Sequence, residues 1–380
     1  MSKKDKMAKK ELSPLFIKPK SNLKAIKPYV PGKSLESIKE ERGLDNLIKL
    51  ASNENPLGPA IDVETLSTLP LEQYPDTVAS PLFAKLCNRL DINANQLIIG
   101  NGSDEILQLI ALAYLDQNSA LLTSEVSFSE YSFIAHLMGA SIHYAKINAN
   151  TYDMNAFEAL FKQEHEGPIK VICIANPNNP TGTSITHQEI DYLLQVVDGR
   201  ALVVLDEAYA EYVTDPNYPD AKALLERYPN LIVLRTFSKI YGLAGYRIGY
   251  GFGSAEVIAA LNQVKQPFNV NSLALKAAEL ALDNEAFVKR SLKLNEAGKQ
   301  QLCQTFDDWG LIYERGEANF VYVELPKGFL AKEVMQALID EGVVIRSLHG
   351  FGREHAIRVT VGDRAQNELF LKGLKKLCRL

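Results

Sequence analysis

The stretch 231–251, LIVLRTFSKIYGLAGYRIGYG, limits what the rest of the chain can be. Its run of β-branched and aliphatic residues, Leu231 to Leu234, reads as a buried strand of an α/β sheet. Thr236, Ser238 and Lys239 follow at once, so they fall on the loop beyond the strand's C-terminal edge, where open α/β sheets place their ligands. A glycine-rich turn (Gly242, Gly245) comes next, and Arg247 lies eight residues after Lys239. A lysine held at such an edge can form an imine with an aldehyde. Two hydroxyls and an arginine nearby suit a phosphate.

An aldehyde and a phosphate on one small molecule describe pyridoxal phosphate (PLP). The chain has 41 Lys plus Arg, and an average lysine is a solvated surface group. The reading therefore depends on what other strand ends supply. In LIIGNGSDEILQLIALAYL (97–115) a short strand runs into Gly100, Asn101, Gly102 and Ser103 before an amphipathic helix begins. Glycines permit close backbone approach, and a helix start offers free N–H groups to an anion. The plainer alternative is a helix capped by Ser103 or Asp104. The spacing matches neither a dinucleotide fingerprint nor a P-loop. Phe128, on the loop after the next strand, is placed to stack on a flat ring or to serve as an ordinary core residue.

The strand Lys170 to Ile174 ends in Asn176, Pro177, Asn178, Asn179, Pro180, Thr181 and Gly182. That density of turn-forming residues implies a functional loop. Thr186 and Glu189 then form a capping box for the next helix. A fully buried strand, Ala201 to Leu205, delivers Asp206 at its end, with Tyr209 three residues on. A carboxylate there is costly unless paired; a protonated pyridine nitrogen would be such a partner. A turn or helix-start aspartate is the bland alternative.

Apolar residues make up 46% of the 380 residues, enough for one large domain and a smaller one. The net charge of −5 gives no electrostatic case for nucleic acid. Cys87, Cys173, Cys303 and Cys378 form no C-x-x-C pair, which fits reduced thiols in a cytosol. No histidine array suggests a metal, and no apolar run suggests a membrane span. Residues 1–33 carry ten lysines, no arginine and no apolar core, and read as a solvated tail followed by a proline-rich packing arm rather than a targeting peptide. Towards the C-terminus, NFVYVEL, VVIRSL and AIRVTVG alternate with helices near 331–341 and 364–378, a small α+β pattern. Arg346 and Arg358 each sit inside one of those apolar strands, and inward arginines need anions, whether a ligand or an internal carboxylate.

The ordered set ASNENPLGP, GNGSDE, ANPNNPTG, DEAYAEY, TFSKIYGLAGYRIGY, PFNVN and IRVTVG, from about 28 to 362, resembles the fold-type-I PLP aminotransferases. PYVPGK and the QYPD stretch (Gln73 to Asp76) are in the style of the histidinol-phosphate group. The resemblance implies an aspartate-aminotransferase-like α/β fold: a large PLP-binding domain with a mostly parallel central sheet flanked by helices, and a smaller α+β domain. The expected divisions are a flexible tail and the start of the N-terminal arm over 1–27, the arm and a small-domain or active-site loop over 28–60, the large PLP-binding domain over 61–285 and the small C-terminal domain over 286–380. It implies that Lys239 carries the cofactor and shuttles the proton, that Asp206 pairs with the ring nitrogen, and that Asn176 and Tyr209 bond the ring's phenolic oxygen. Phe128 would stack on the ring. Gly102, Ser103, Asp104, Thr236, Ser238 and Arg247 would surround the phosphate, with Tyr74 reaching it from the partner subunit of a homodimer. Arg358 and Arg346 would grip the substrate's anion, with Asn319 and Tyr29 as further contacts. The implied activity is a cytoplasmic transamination between L-histidinol phosphate and 2-oxoglutarate. An aromatic amino-acid aminotransferase, a PLP lyase of a phosphorylated amino acid, and a binding protein on an inactive scaffold are the competing expectations.

Overall fold

The computed structural model describes residues 20–26, 35–43, 47–76 and 80–380. In chain order its strands are β1 (Ile48–Leu50), β2 (Leu97–Gly100), β3 (Ala120–Ser124), β4 (Ser141–Ala145), the small hairpin β5 and β6 (Ile147–Asn148, Thr151–Tyr152), β7 (Ile169–Ala175), β8 (Leu202–Asp206), β9 (Leu231–Thr236), β10 (Gly249–Gly253), β11 (Tyr313–Glu314), β12 (Phe320–Glu324), β13 (Val343–Ser347) and β14 (Ala356–Thr360). Seven of them form one sheet in the order β2-β10-β9-β8-β7-β3-β4. The contacts along β9-β8-β7-β3-β4 are parallel, and only β10 runs against its neighbours. Apolar residues on both faces of β7, β8 and β9 make this possible. Ile172, Ile174, Val203, Leu205 and Val233 enter one core, while Val171, Cys173, Val204, Ile232 and Leu234 enter the core on the opposite face. A parallel strand covered on both sides by helices has no face left for polar residues, so these collect at its ends.

Register then fixes which ends meet. Ala175 lies opposite Asp206, and Asp206 opposite Leu234. The loops after β7, β8 and β9 therefore leave one edge together. The helix Ser103–Tyr114, which follows β2, also starts there, and Gly249 of β10 lets its first turn approach: a Cβ at 249 would lie 2.7 Å from the Ser103 nitrogen.

A second sheet, β1-β13-β14-β12-β11, has its own core of Leu50, Val321, Val323, Ile345, Ile357 and Val359, closed by Phe306 and Phe370 from the helices Glu285–Asp308 and Arg364–Cys378. Its edge strand β1 comes from the N-terminal part of the chain and pairs in parallel with β13. The Thr186–Glu189 capping box forms as its sequence requires. Among the described residues no helix is long and apolar enough to cross a membrane.

Candidate active site

A cavity of about 560 Å³ opens where the large sheet's strand ends face the small sheet. Its wall includes Ser103, Asp104, Phe128, Asp206, Tyr209, Thr236, Ser238, Lys239, Arg247, Arg346 and Arg358. Residues separated by as many as 255 positions in the chain thus line one cavity.

Asp206 closes β8 and is buried. Its Oδ2 accepts a hydrogen bond from Tyr131 Oη at 2.9 Å. Its Oδ1 is buried without a hydrogen-bond partner among the described residues. Burial pushes the carboxyl up to about 6, and the Tyr131 hydrogen bond opposes that rise. Lys239 Nζ donates to the Ser52 carbonyl at 3.3 Å and lies 5.7 Å from the centre of the Tyr209 ring. The turn beyond it is clamped to the N-terminal loop. Gly242 has φ +64°, and a Cβ there would come within 1.9 Å of the Gly58 carbonyl oxygen. Asn55 Nδ2 also donates to the Ile240 carbonyl at 2.8 Å.

Another part of the cavity wall carries groups suited to an anion. The Ser103–Tyr114 helix starts there with free backbone N–H groups. Thr236 Oγ1 donates to Ser238 Oγ at 3.0 Å. Arg247 sits beside both, paired through Nη2 with Asp104 at 3.0 Å. Gly102 has φ +82°, and a Cβ there would lie 2.6 Å from Arg247 Nη2, so only glycine leaves the guanidinium its place.

Arg346 and Arg358 come from the small sheet, where they are direct cross-strand partners. Like charges set opposite each other on one face repel. Arg358 is buried; its Nη2 donates to the Ala51 carbonyl at 2.6 Å and its Nη1 to Asn179 Oδ1. Burial pulls its pKa down to about 10; Tyr209 opposes that fall and Arg346 adds to it. Both arginines bear on the cavity rather than on an internal carboxylate.

Four expectations need correction or placement. Asn176 does not line the cavity: its Nδ2 donates to the Ile185 carbonyl at 3.1 Å and its Oδ1 accepts from the Ile185 N–H at 2.9 Å, which turns the amide towards the Ile185 backbone. Asn179, three residues on, lines it instead. Asn319 lies behind the wall, donating to the Asn53 carbonyl at 3.0 Å. Tyr74 is 81% exposed, stacks on Phe268 at 4.6 Å and is not part of this chain's cavity. Tyr29 falls outside the described residues.

Sequence reasoning placed an active-site loop over 28–60 without singling out Ala51 to Glu54, and it passed over Glu130 and Tyr131. Within that loop Asn53 Nδ2 donates to Tyr209 Oη at 2.8 Å. Tyr131 had a weak signal, an aromatic one helical turn past Phe128, which it meets edge to face at 5.6 Å.

The model of the class I and II aminotransferases matches residues 45–374. The chain belongs to that family. Among its relatives this aminotransferase is 42% identical over 357 residues to a histidinol-phosphate aminotransferase of Moorella thermoacetica, covering 93% of this chain and 91% of that one. It is 39% identical over 363 residues to one from a Geobacillus species, covering 95% and 98%. A crystal structure of histidinol-phosphate aminotransferase from Sinorhizobium meliloti in complex with pyridoxal-5'-phosphate superposes with a TM-score of 0.86 at 23% identity, over 96% of this chain and 99% of that one. At that identity the likeness concerns the fold, which is the fold-type-I aminotransferase architecture.

Proposed function

We propose that the chain binds PLP in this cavity and moves an amino group between L-histidinol phosphate and 2-oxoglutarate. The biosynthetic direction runs from imidazole acetol phosphate and glutamate, a step towards histidine. The residues present fit the cofactor. Asp206 Oδ1, buried and unpartnered among the described residues, is what a protonated pyridine nitrogen would satisfy. The helix start at Ser103 and Asp104, with Thr236, Ser238 and Arg247, supplies donors and positive charge for the phosphate, and Gly102 keeps the space open. Lys239 would carry the aldehyde carbon, Tyr209 and Asn179 would bond the phenolic oxygen, and Phe128 would pack on the ring.

When bound, PLP supplies an aldehyde that takes up the amine and a ring that accepts the electron pair left when the substrate's α-hydrogen departs as a proton. The chain does the positioning and the proton transfer. Asp206, as a carboxylate, would hold a proton on the ring nitrogen, and Tyr131 favours that charged form by donating to Oδ2. Lys239 Nζ, as a free amine, would take the proton from the substrate's amine-bearing carbon.

One observation carries the substrate reading. Arg346 and Arg358 stand directly opposite each other across β13 and β14, and both line the cavity. A dianionic phosphate offsets the repulsion of two facing guanidinium groups, and the same pair can grip the carboxylate of glutamate. The names of the relatives at 42% and 39% identity support it. The exposed Tyr74–Phe268 stack fits a surface that a second subunit covers, with Tyr74 entering that subunit's site in a cytoplasmic homodimer. The test is a substrate panel on the purified holoenzyme: L-histidinol phosphate, L-phenylalanine and L-tyrosine, each with 2-oxoglutarate. The highest kcat/KM is expected for L-histidinol phosphate. Faster turnover of either aromatic amino acid would overturn the assignment.

A further inference from the structure

Four carboxyl groups line the cavity, and three have partners. Glu54 pairs with Lys49 at 2.7 Å, Asp104 with Arg247 at 3.0 Å, and Asp206 accepts from Tyr131 at 2.9 Å. Glu130 makes no ion pair or hydrogen bond among the described residues. It is the first residue of the helix Glu130–Met138 and lies on the same wall as Phe128 and Ser129. Its side chain is partly withdrawn from water, and burial, aided by the charge of Asp104, pushes its carboxyl up to about 7.

An acid in a helix's first turn is favoured by the helix dipole. That accounts for a negative charge near residue 130, but not for one that lines a ligand cavity with no partner among the described residues. A half-buried carboxylate has a cost unless something donates to it. The cavity is also polarised. Arg346 and Arg358 enter from the small sheet, while Glu130 enters from the large-sheet side beside Phe128. A ligand with an anion at one end and an N–H-bearing ring at the other matches that arrangement.

We propose that Glu130 determines specificity at this site: its carboxylate accepts the imidazole N–H of L-histidinol phosphate while Arg346 and Arg358 hold the phosphate. This rests on the substrate reading given above. It also accounts for how one cavity serves two different substrates. With the α-carboxylate of glutamate at the arginines, its side-chain carboxylate falls in the place of the imidazole. There a protonated Glu130 donates where the ionised form accepted. A carboxyl that changes state near neutrality, close to the range in which imidazole itself does, can play both parts.

The test compares wild-type and Glu130→Gln holoenzyme with L-histidinol phosphate and with L-phenylalaninol phosphate, whose benzene ring has no N–H. A charge-assisted hydrogen bond is roughly twice as strong as a neutral one, so KM for L-histidinol phosphate is expected to rise about tenfold. KM for L-phenylalaninol phosphate is expected to fall, because a carboxylate no longer faces an apolar ring. Glu130→Ala should give the same order with a larger loss, and the bound cofactor's visible spectrum should match wild type in both variants. A rise that is equal for the two ring types would assign Glu130 to the helix start alone. No rise in either variant would place imidazole recognition elsewhere. If wild-type enzyme fails to turn over L-histidinol phosphate, the underlying substrate reading falls, and that is evident before any variant is made.

Discussion

Replacing Asp206 with Asn should make the cofactor-free protein more stable while disabling the enzyme. Burial holds this carboxyl at about 6, against an ordinary 3.8. A difference of about two pH units corresponds to ~3 kcal/mol. The folded value lies above the unfolded one, so the charged form is the penalised one. The penalty is absent below about pH 4, grows as pH rises, and is complete above about pH 6. Asparagine never ionises and keeps the oxygen to which Tyr131 donates. Its amide N–H takes the place of the unpartnered Oδ1, at a cost of ~1 kcal/mol. The net expectation is a gain of ~2 kcal/mol for the apo variant at about pH 8, fading towards pH 4. For a chain of this size that is an apparent Tm rise of roughly 2–5 °C. Thermal melts of both apoproteins at the two pH values measure it directly. Saturating PLP should reverse the order, because ligand binding stabilises the form that binds better. Turnover should fall by roughly a thousandfold, the cost of breaking a buried charge pair. An apo variant less stable than wild type at about pH 8 would refute the reasoning, since it would mean the fold itself compensates the Asp206 charge.

Four further outcomes are expected. Lys239→Ala should lose the visible absorption band of the attached cofactor, and activity should drop by about four orders of magnitude; a retained band would move the attachment elsewhere. Arg358→Ala should raise KM about a hundredfold for both L-histidinol phosphate and glutamate with PLP still bound; dissociation of the cofactor would contradict a substrate role. Tyr131→Phe removes the donor 2.9 Å from Asp206, so the carboxyl should rise further, and cofactor capture followed against pH should shift up by about one unit. Gly102→Ala puts a methyl group 2.6 Å from Arg247 Nη2 at a φ of +82°, and equilibrium titration should show PLP affinity about tenfold weaker.

The large sheet was readable from the chain because its central strands are apolar on both faces, leaving Asp206 and the Thr236–Lys239 loop no place but the strand ends. Arg346 and Arg358 were readable for the converse reason, as charges inside apolar strands. The choice between Asn176 and Asn179 was not. Both lie in one proline-rich loop, and what separates them is that Asn176 faces the Ile185 peptide, a tertiary fact with no local pattern. Asn319 failed in the same way, its amide turned to the Asn53 carbonyl. Glu130 was hidden because an acid at a helix start is ordinary; only the cavity beside it makes it unusual.

The carbonyls of Ala51 and Ser52 are consecutive, yet one accepts from Arg358 of the small sheet and the other from Lys239 of the large one. Two cavity-lining cations, one on β14 and one on the loop after β9, are thus leashed to adjacent peptide groups. Replacing the Ser52 side chain with alanine would leave both oxygens where they are and so would not report this dependence. Only an edit to the main chain, such as an ester in place of an amide or a one-residue deletion, would expose the dependence.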